Sequence, residues 1–422
     1  MTKPRCVLAY SGGLDTSVAI RWLQEELGYD VITLTVDLGE TVDVDAVLDR
    51  AVRTGAVSAH VVDARKLFVE QFVFPTLAAG AKYEGVYPLA TALARPLIAA
   101  MLVDVARREG AEAIAHGCTG KGNDQVRFDV ATAALAPEIK VVAPVRDWGM
   151  GRPQELEYAA RHGIEVPVTA KAPYSIDANL WGRSVESGVL EDPWIEPPAD
   201  CYALTVDPES APAGGDEMTI TFEAGIPVTL DGRAMESDLL VDAINGRAGA
   251  QGVGRMDLVE NRLVGIKSRE IYEAPAATVL HVAHDTLETL VLARDVARFK
   301  RQVADEWARL VYDGLWFSSL RHALGAFVTQ TQQVVSGEVR VRCQRGNVIV
   351  TGRRAEQSLY RSNLATYDSD HDDFDHSAAH GFIEIFGLPL RTQTRIQGGP
   401  SLSLENAGAY RVRTGAAEGT TA

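Results

Sequence analysis

The residues with the clearest chemical potential are Ser11-Gly12-Gly13-Leu14-Asp15-Thr16-Ser17. They stand between the apolar run Cys6-Val7-Leu8-Ala9-Tyr10 and an amphipathic run that begins at Val18. Glycines without a Cβ let the backbone take positive φ and approach a ligand closely. Hydroxyls, free N–H groups and a helix N-terminus then favour an anion at the turn, so a phosphate is the ligand that fits. Asp15 is the odd member, because a carboxylate beside phosphates repels them unless it holds Mg²⁺ or accepts from a bound donor. A plain turn capped by Asp15 or Thr16 accounts for Gly-Gly, but not for the glycines, the hydroxyls and the acid together.

Two more stretches carry dense polar chemistry. His116-Gly117-Cys118-Thr119-Gly120-Lys121-Gly122-Asn123-Asp124-Gln125-Val126-Arg127-Phe128 is a glycine-rich strand-to-helix turn with more amides, acids and bases than capping requires. Tyr174 to Ser184, followed by Leu190-Glu191-Asp192-Pro193-Trp194, reads on its own as a polar structural loop.

The elements that must position these residues alternate. Strands are expected at Val31–Asp37, Ala59–Asp63, Ala113–Ala115 and Lys140–Ala143, and helices at Ala46–Arg53, Lys66–Phe74, Thr91–Glu109 and Asn123–Ala134. That is the grammar of an α/β doubly wound parallel sheet, whose ligands collect at the carboxyl ends of strands. A further helix begins at Pro153 and ends near His162-Gly163. From about Lys171 the pattern becomes mixed α and β. Hairpins are expected at Met218–Leu230 and Val339–Val350, with two helices between Pro275 and Asp313.

At 422 residues the chain has room for roughly two or three domains. A net charge of −16 argues against a nucleic-acid surface, which needs clustered Lys and Arg. No apolar run approaches the roughly 20 residues of a membrane helix, and no signal-peptide core follows Met1, so a cytoplasmic protein with no membrane contact is expected. Cys6, Cys118, Cys201 and Cys343 lie too far apart for a CxxC pair and are expected as reduced thiols. His281 with His284, and His371, His376 and His380 among acids, are the metal candidates; a solvated loop is the simpler account of the second group.

The heptad resembles the phosphate loop SGGxD[ST] of the N-type ATP pyrophosphatases, the adenine nucleotide alpha hydrolase-like kind, which cleave ATP to AMP and pyrophosphate. Neither a GxxxxGK[ST] run nor GxGxxG occurs. The absence of GxGxxG counts against a dehydrogenase, the rival suggested by Asp37 at a strand end. Further runs, Tyr83-Glu84-Gly85, Ala94-Arg95-Pro96-Leu97-Ile98, Pro173 to Ser184, Leu190 to Trp194, Val259-Glu260-Asn261-Arg262 and Ser358-Leu359-Tyr360, make the chain similar to the argininosuccinate synthase family, type 1, up to about Pro400.

That resemblance implies a ligase that joins L-citrulline to L-aspartate with ATP through a citrullyl-AMP intermediate. It allots ATP to Ala9, Tyr10, Ser11, Gly12, Gly13, Leu14, Asp15, Thr16, Ser17, Val36 and Gly117. Aspartate falls to Thr119, Asn123 and Asp124, and citrulline to Tyr87, Asn123, Arg127, Ser175, Ser184, Glu260 and Tyr272. Asp124 and Asp15 are the acids expected nearest the chemistry, Asp124 to orient or deprotonate the incoming ammonium and Asp15 beside Mg²⁺ or a donor. Mg²⁺ is expected with the nucleotide rather than on a dedicated protein site, and no organic prosthetic group is expected. The implied arrangement is a nucleotide-binding domain at 1–168, a mixed α+β synthetase and multimerisation domain at 169–365, a C-terminal oligomerisation extension at 366–399, a mobile tail at 400–422, and a homotetramer.

Two positions depart from the family pattern. Ala92 stands where a citrulline-contacting serine is usual, which predicts weaker citrulline binding unless Thr91 compensates; Glu40 stands where Gln is usual. Both leave open a paralogous ligase that uses another ureido compound and amine. A non-catalytic ATP sensor predicts decay at several site positions, and only Ala92 shows it.

Overall fold

The structure is a computed structural model that describes residues 3–40, 43–165, 174–368 and 370–399. Strands β1 (Arg5–Ala9), β2 (Asp30–Asp37), β3 (Ser58–Asp63), β4 (Ala113–Ala115) and β5 (Lys140–Val142) form a parallel sheet in the order β3-β2-β1-β4-β5. Cys6, Val7 and Leu8 of β1 are wholly buried, as a central strand covered on both faces requires. The order reverses between β1 and β4, and the loops leaving these two strands flank the crevice.

Helices α1 (Leu14–Glu26), α2 (Val44–Thr54), α3 (Arg65–Phe68), α4 (Phe74–Ala79), α5 (Ala90–Glu109), α6 (Asp124–Leu135), α7 (Pro144–Asp147) and α8 (Arg152–Arg161) connect and cover the strands. Helix α1 starts at Leu14, four residues before the expected amphipathic run. Gly13 is its N-cap, without a side-chain cap bond, so neither Asp15 nor Thr16 is the cap. The helix expected over Lys66–Phe74 is broken by a π-helical turn at Val69–Val73 and continues to Ala79.

The second half opens with the antiparallel hairpin β6 (Ser175–Asn179) and β7 (Gly182–Glu186). This corrects the reading of Tyr174–Ser184 as a loop. The polar residues there alternate along paired strands instead of crowding a turn. After β8 (Asp216–Glu223), β9 (Ile226–Leu230), β10 (Arg233–Ala234) and α9 (Ser237–Gly249) come β11 (Arg255–Asn261) and β12 (Lys267–Glu273). A four-stranded sheet runs β11-β12-β7-β6. Helices α10 (Pro275–Val291), α11 (Arg294–Tyr312) and α12 (Ser319–Gln332) precede β13 (Gly337–Gln344) and β14 (Asn347–Arg354), which complete the sheet β10-β9-β8-β13-β14.

Residues up to Leu359 form one compact unit. One apolar core in it joins Leu93 and Leu97 of α5 to Phe222 of β8, Leu280 and Leu287 of α10, Trp307 of α11 and Val339 of β13. The boundary expected near residue 168 lies outside the described residues. From Tyr360 a second unit carries α13 (Ser362–Ala365), α14 (His376–Phe386) and α15 (Leu388–Gln397). Phe382, Ile383, Ile385, Phe386, Leu388, Leu390 and Ile396 are all exposed on it. The tail 400–422 lies outside the described residues.

Candidate active site

The β1–α1 loop is held from behind and left open in front. Gly12 has φ +77°, and its carbonyl accepts from Arg50 Nη1 at 2.7 Å; a Cβ there would sit 3.0 Å from that nitrogen. The buried Ser17 hydroxyl lies 3.2 Å from the Tyr10 phenol, and the Tyr10 carbonyl accepts from Thr35 Oγ1 at 2.7 Å. Ser11 Oγ is 3.2 Å from Thr16 Oγ1. Asp15, in the first turn of α1, meets the buried Glu155 of α8. Burial first, then the hydrogen bond and charge of Asp15, push the Glu155 carboxyl up to about 7. Asp15 lines the cavity and Glu155 does not, and nothing in the sequence spacing marks the pair.

The β4–α6 loop packs onto this one. A Cβ on Gly117 would meet Thr16 Cγ2 at 3.0 Å. His116 is buried, accepts the Cys118 N–H at Nδ1 (3.3 Å), and by that tautomer donates from Nε2 to Asp129 at 2.9 Å. Asp124 accepts from Arg127 Nη1 at 2.9 Å and Arg95 Nη2 at 2.8 Å. Burial works against its charge, yet the two guanidiniums outweigh burial and hold the carboxyl down at about 2. Arg95 also pairs with Asp177 of β6, whose own carboxyl is pushed up by burial. Arg127 is almost fully buried, and its Nη2 has no hydrogen-bond partner among the described residues.

The opposite wall comes from the β11-β12-β7-β6 sheet and α11. Glu260 accepts from the Tyr272 phenol at 2.6 Å and from the Tyr312 phenol at 2.5 Å, so both carboxylate oxygens are oriented. Burial raises both phenols, which keeps them donors. Tyr272 stacks on Tyr87 with centroids 4.1 Å apart, and the Tyr87 hydroxyl lies 2.6 Å from Thr91 Oγ1. Thr91 faces the cavity whereas Ala92 is fully buried and does not. Deeper on this wall, burial and the charge of Glu186 push Glu270 up to about 8, although Arg262 lies 2.7 Å away.

All of these surfaces enclose one cavity of about 1180 Å³. Of the residues singled out from sequence, Ala9, Tyr10, Ser11, Gly13, Leu14, Asp15, Thr16, Val36, Tyr87, Gly117, Asn123, Asp124, Arg127, Ser175, Ser184, Glu260 and Tyr272 line it. Gly12, Ser17 and Thr119 do not. Gly12 and Ser17 brace the loop, and Thr119 is exposed beside it. Arg95, Asp177, Arg262, Glu270 and Tyr312 line the cavity but were not singled out. Arg95, the sole charged residue in the stretch Ala90 to Val103 of α5, was a usable signal. Tyr312 sits in a helix whose apolar spacing reads as core, and nothing in the sequence separates it.

A match to the family model described as "Arginosuccinate synthase N-terminal HUP domain" spans residues 5–165, and one to "Arginosuccinate synthase C-terminal domain" spans 174–393. The chain is 55% identical over 398 residues to the argininosuccinate synthase of Oceanobacillus iheyensis, which covers 94% of this chain and 95% of that one. The chain belongs to the argininosuccinate synthase family. The corresponding proteins of Symbiobacterium thermophilum and Geobacillus thermodenitrificans are 53% and 54% identical, over 94% and 93% of this chain and 99% and 97% of theirs. The cavity of this argininosuccinate synthase family member draws its lining from both matched segments, with the phosphate loop in the first and the Glu260 wall in the second.

The histidine candidates do not gather a metal set that is free of other partners. His284, Asp285 and Glu288 bring ligand atoms within 4.8 Å of one another, but Lys300 Nζ lies 3.0 Å from Glu288, and Gln332 bonds both His284 and Glu288. An ammonium already stands where a cation would. His281 is buried away from this group's hydrogen bonds, and His371 and His376 pair singly with Asp368 and Asp372.

Proposed function

We propose that the chain is an ATP-dependent ligase that joins L-citrulline and L-aspartate to argininosuccinate and releases AMP and pyrophosphate. The observation that carries this reading is a single cavity with an anion-binding loop at one end and, at the other, Arg127 and Glu260, a pair matched to an α-carboxylate and an α-ammonium. The citrulline ureido oxygen attacks the α-phosphorus of ATP, pyrophosphate leaves, and the aspartate amine, after losing a proton, displaces AMP from the activated carbon.

In this allocation residues 1–168 handle the nucleotide and 169–365 supply most of the citrulline wall. The phosphate loop and Gly117 receive ATP, with the adenine side toward Val36. Asn123 and Asp124 receive aspartate, and Thr119 reaches it only from the rim. Tyr87, Asn123, Arg127, Ser175, Ser184, Glu260 and Tyr272 receive citrulline. No protein nucleophile is required, because both new bonds are made by substrate atoms. The chain's part is orientation and charge placement.

Mg²⁺ fits the loop. Asp15 adds an acid to a site meant for a polyphosphate, and a divalent cation held by Asp15 would offset that repulsion. Such an ion would neutralise the charge that builds on departing pyrophosphate. Among the described residues no helix is long and apolar enough to cross a membrane; a cytoplasmic homotetramer is the working form proposed here.

The test is pyrophosphate release from ATP with citrulline and aspartate added singly and together. Release that needs citrulline, and full turnover that needs both, supports the ligase. Release with another ureido compound in preference to citrulline supports a paralogue, and NAD binding without ATP turnover supports the dehydrogenase.

A further inference from the structure

Asn123 and Arg127 reach the cavity from the start of α6 and Glu260 from β11, and one residue touches all three. The Tyr312 hydroxyl accepts from Asn123 Nδ2 at 2.8 Å and donates to Glu260 Oε1 at 2.5 Å. The Tyr312 carbonyl accepts from Arg127 Nε at 2.9 Å, and the guanidinium lies 4.9 Å from the ring centroid. On its ring, Tyr312 stacks against Tyr83 with centroids 3.5 Å apart and planes 4° from parallel. The chain then turns at Gly314, with φ +80°, where a Cβ would meet Arg127 Cα at 2.9 Å. The end of α11 is thus pressed onto α6 with little freedom.

We propose that Tyr312 is the positioning residue of the citrulline end of the cavity: its hydroxyl sets Asn123 against Glu260, and its carbonyl aims Arg127. This rests on the citrulline reading above. The free Nη2 of Arg127 is the donor left for a substrate carboxylate once Nε and Nη1 are held by Tyr312 and Asp124. A Glu260 carboxylate fixed at both oxygens presents its remaining lone pairs in one direction, which suits one ammonium position. Losing the phenol oxygen frees that carboxylate to turn about its link to Tyr272 and leaves Asn123 Nδ2 to find another acceptor.

Tyr312→Phe removes only that oxygen and keeps the ring, the Tyr83 stack and the carbonyl. The expected result is a citrulline KM raised about five- to twentyfold, with ATP KM within about twofold and kcat lowered less than about threefold. In a Glu260→Gln background the same substitution should raise citrulline KM by a clearly smaller factor, because the two groups act together. Tyr83→Phe, whose hydroxyl donates to the Asn261 carbonyl, is the control and should leave citrulline KM unchanged. An unchanged citrulline KM in Tyr312→Phe overturns the proposal. So does an equal rise for all three substrates, the same factor in both backgrounds, or an equal effect from Tyr83→Phe. Parent protein that releases no pyrophosphate with citrulline overturns the ligase reading and this proposal together. Normal parent turnover with an unaltered Tyr312→Phe overturns this proposal alone.

Discussion

Burial works against the charge of Asp124, and it is the neighbouring Arg95 and Arg127 guanidiniums that hold its carboxyl down at about 2. A carboxylate that acidic is a poor proton acceptor at neutral pH, so of the two roles open to it, holding the aspartate ammonium fits better than deprotonating it. Asp124→Asn is therefore expected to release pyrophosphate from ATP and citrulline while aspartate consumption falls by roughly 100-fold. Normal aspartate turnover by that variant would falsify the role. Asp124 should also add no inflection to the rate profile above about pH 4. Asp124, Asn123 and Arg127 were legible because they crowd one glycine-rich turn beyond any capping need. Tyr312 was not, because a tyrosine on the apolar period of a helix looks like core until its hydroxyl is seen between two polar side chains.

At the scale of elements, the parallel strands were legible because β-branched runs alternate with helical periods. The π-helical turn at Val69–Val73 and the β6–β7 hairpin were not, since each depends on what packs against it. The hairpin's neighbour β12 ends in Glu273, which is wholly buried, and its carboxylate accepts from Arg183 Nη1 at 3.0 Å and from the N–H groups of Ala203, Leu204 and Thr205. Glu273→Ala leaves Arg183 buried without that charge and should cost about 3–5 kcal/mol, read from the shift of a denaturant midpoint.

Helix α8 offers a pH test. The Glu155 carboxyl, at about 7 when folded, lies above its ordinary value of 4.5, so the folded chain keeps a proton there that the unfolded chain releases. The stability this represents is present below pH 4.5 and is lost as pH rises through 7. Glu155→Gln cannot ionise. Its melting midpoint should gain on the parent between pH 5 and pH 8, by on the order of 2 °C. A constant difference across that range would show that Glu155 carries no such proton.

For the whole molecule, the net charge of −16 extends into the cavity, where Asp15, Glu40, Asp124, Asp177, Glu186, Glu260 and Glu270 face Arg95, Arg127, Arg152 and Arg262, so a polyphosphate there would be held by backbone N–H groups and individually placed guanidiniums rather than by a net positive field. The surface of the second unit needs a different explanation. Helices α14 and α15 expose Phe382, Ile383, Ile385 and Phe386 together with Leu388, Leu390 and Ile396, and the Phe382 and Phe386 rings stack on each other at 5.4 Å. A row of exposed aromatic and branched side chains is more than a monomer commonly leaves in water, and burial against further copies of the chain would remove it. The parent protein should therefore scatter light with about four chain masses, and Phe382→Asp combined with Phe386→Asp should shift it to smaller species. Every residue that lines the cavity precedes residue 313, so the dissociated form should still bind ATP. A double variant that keeps the full mass would place the assembly surface elsewhere on the chain.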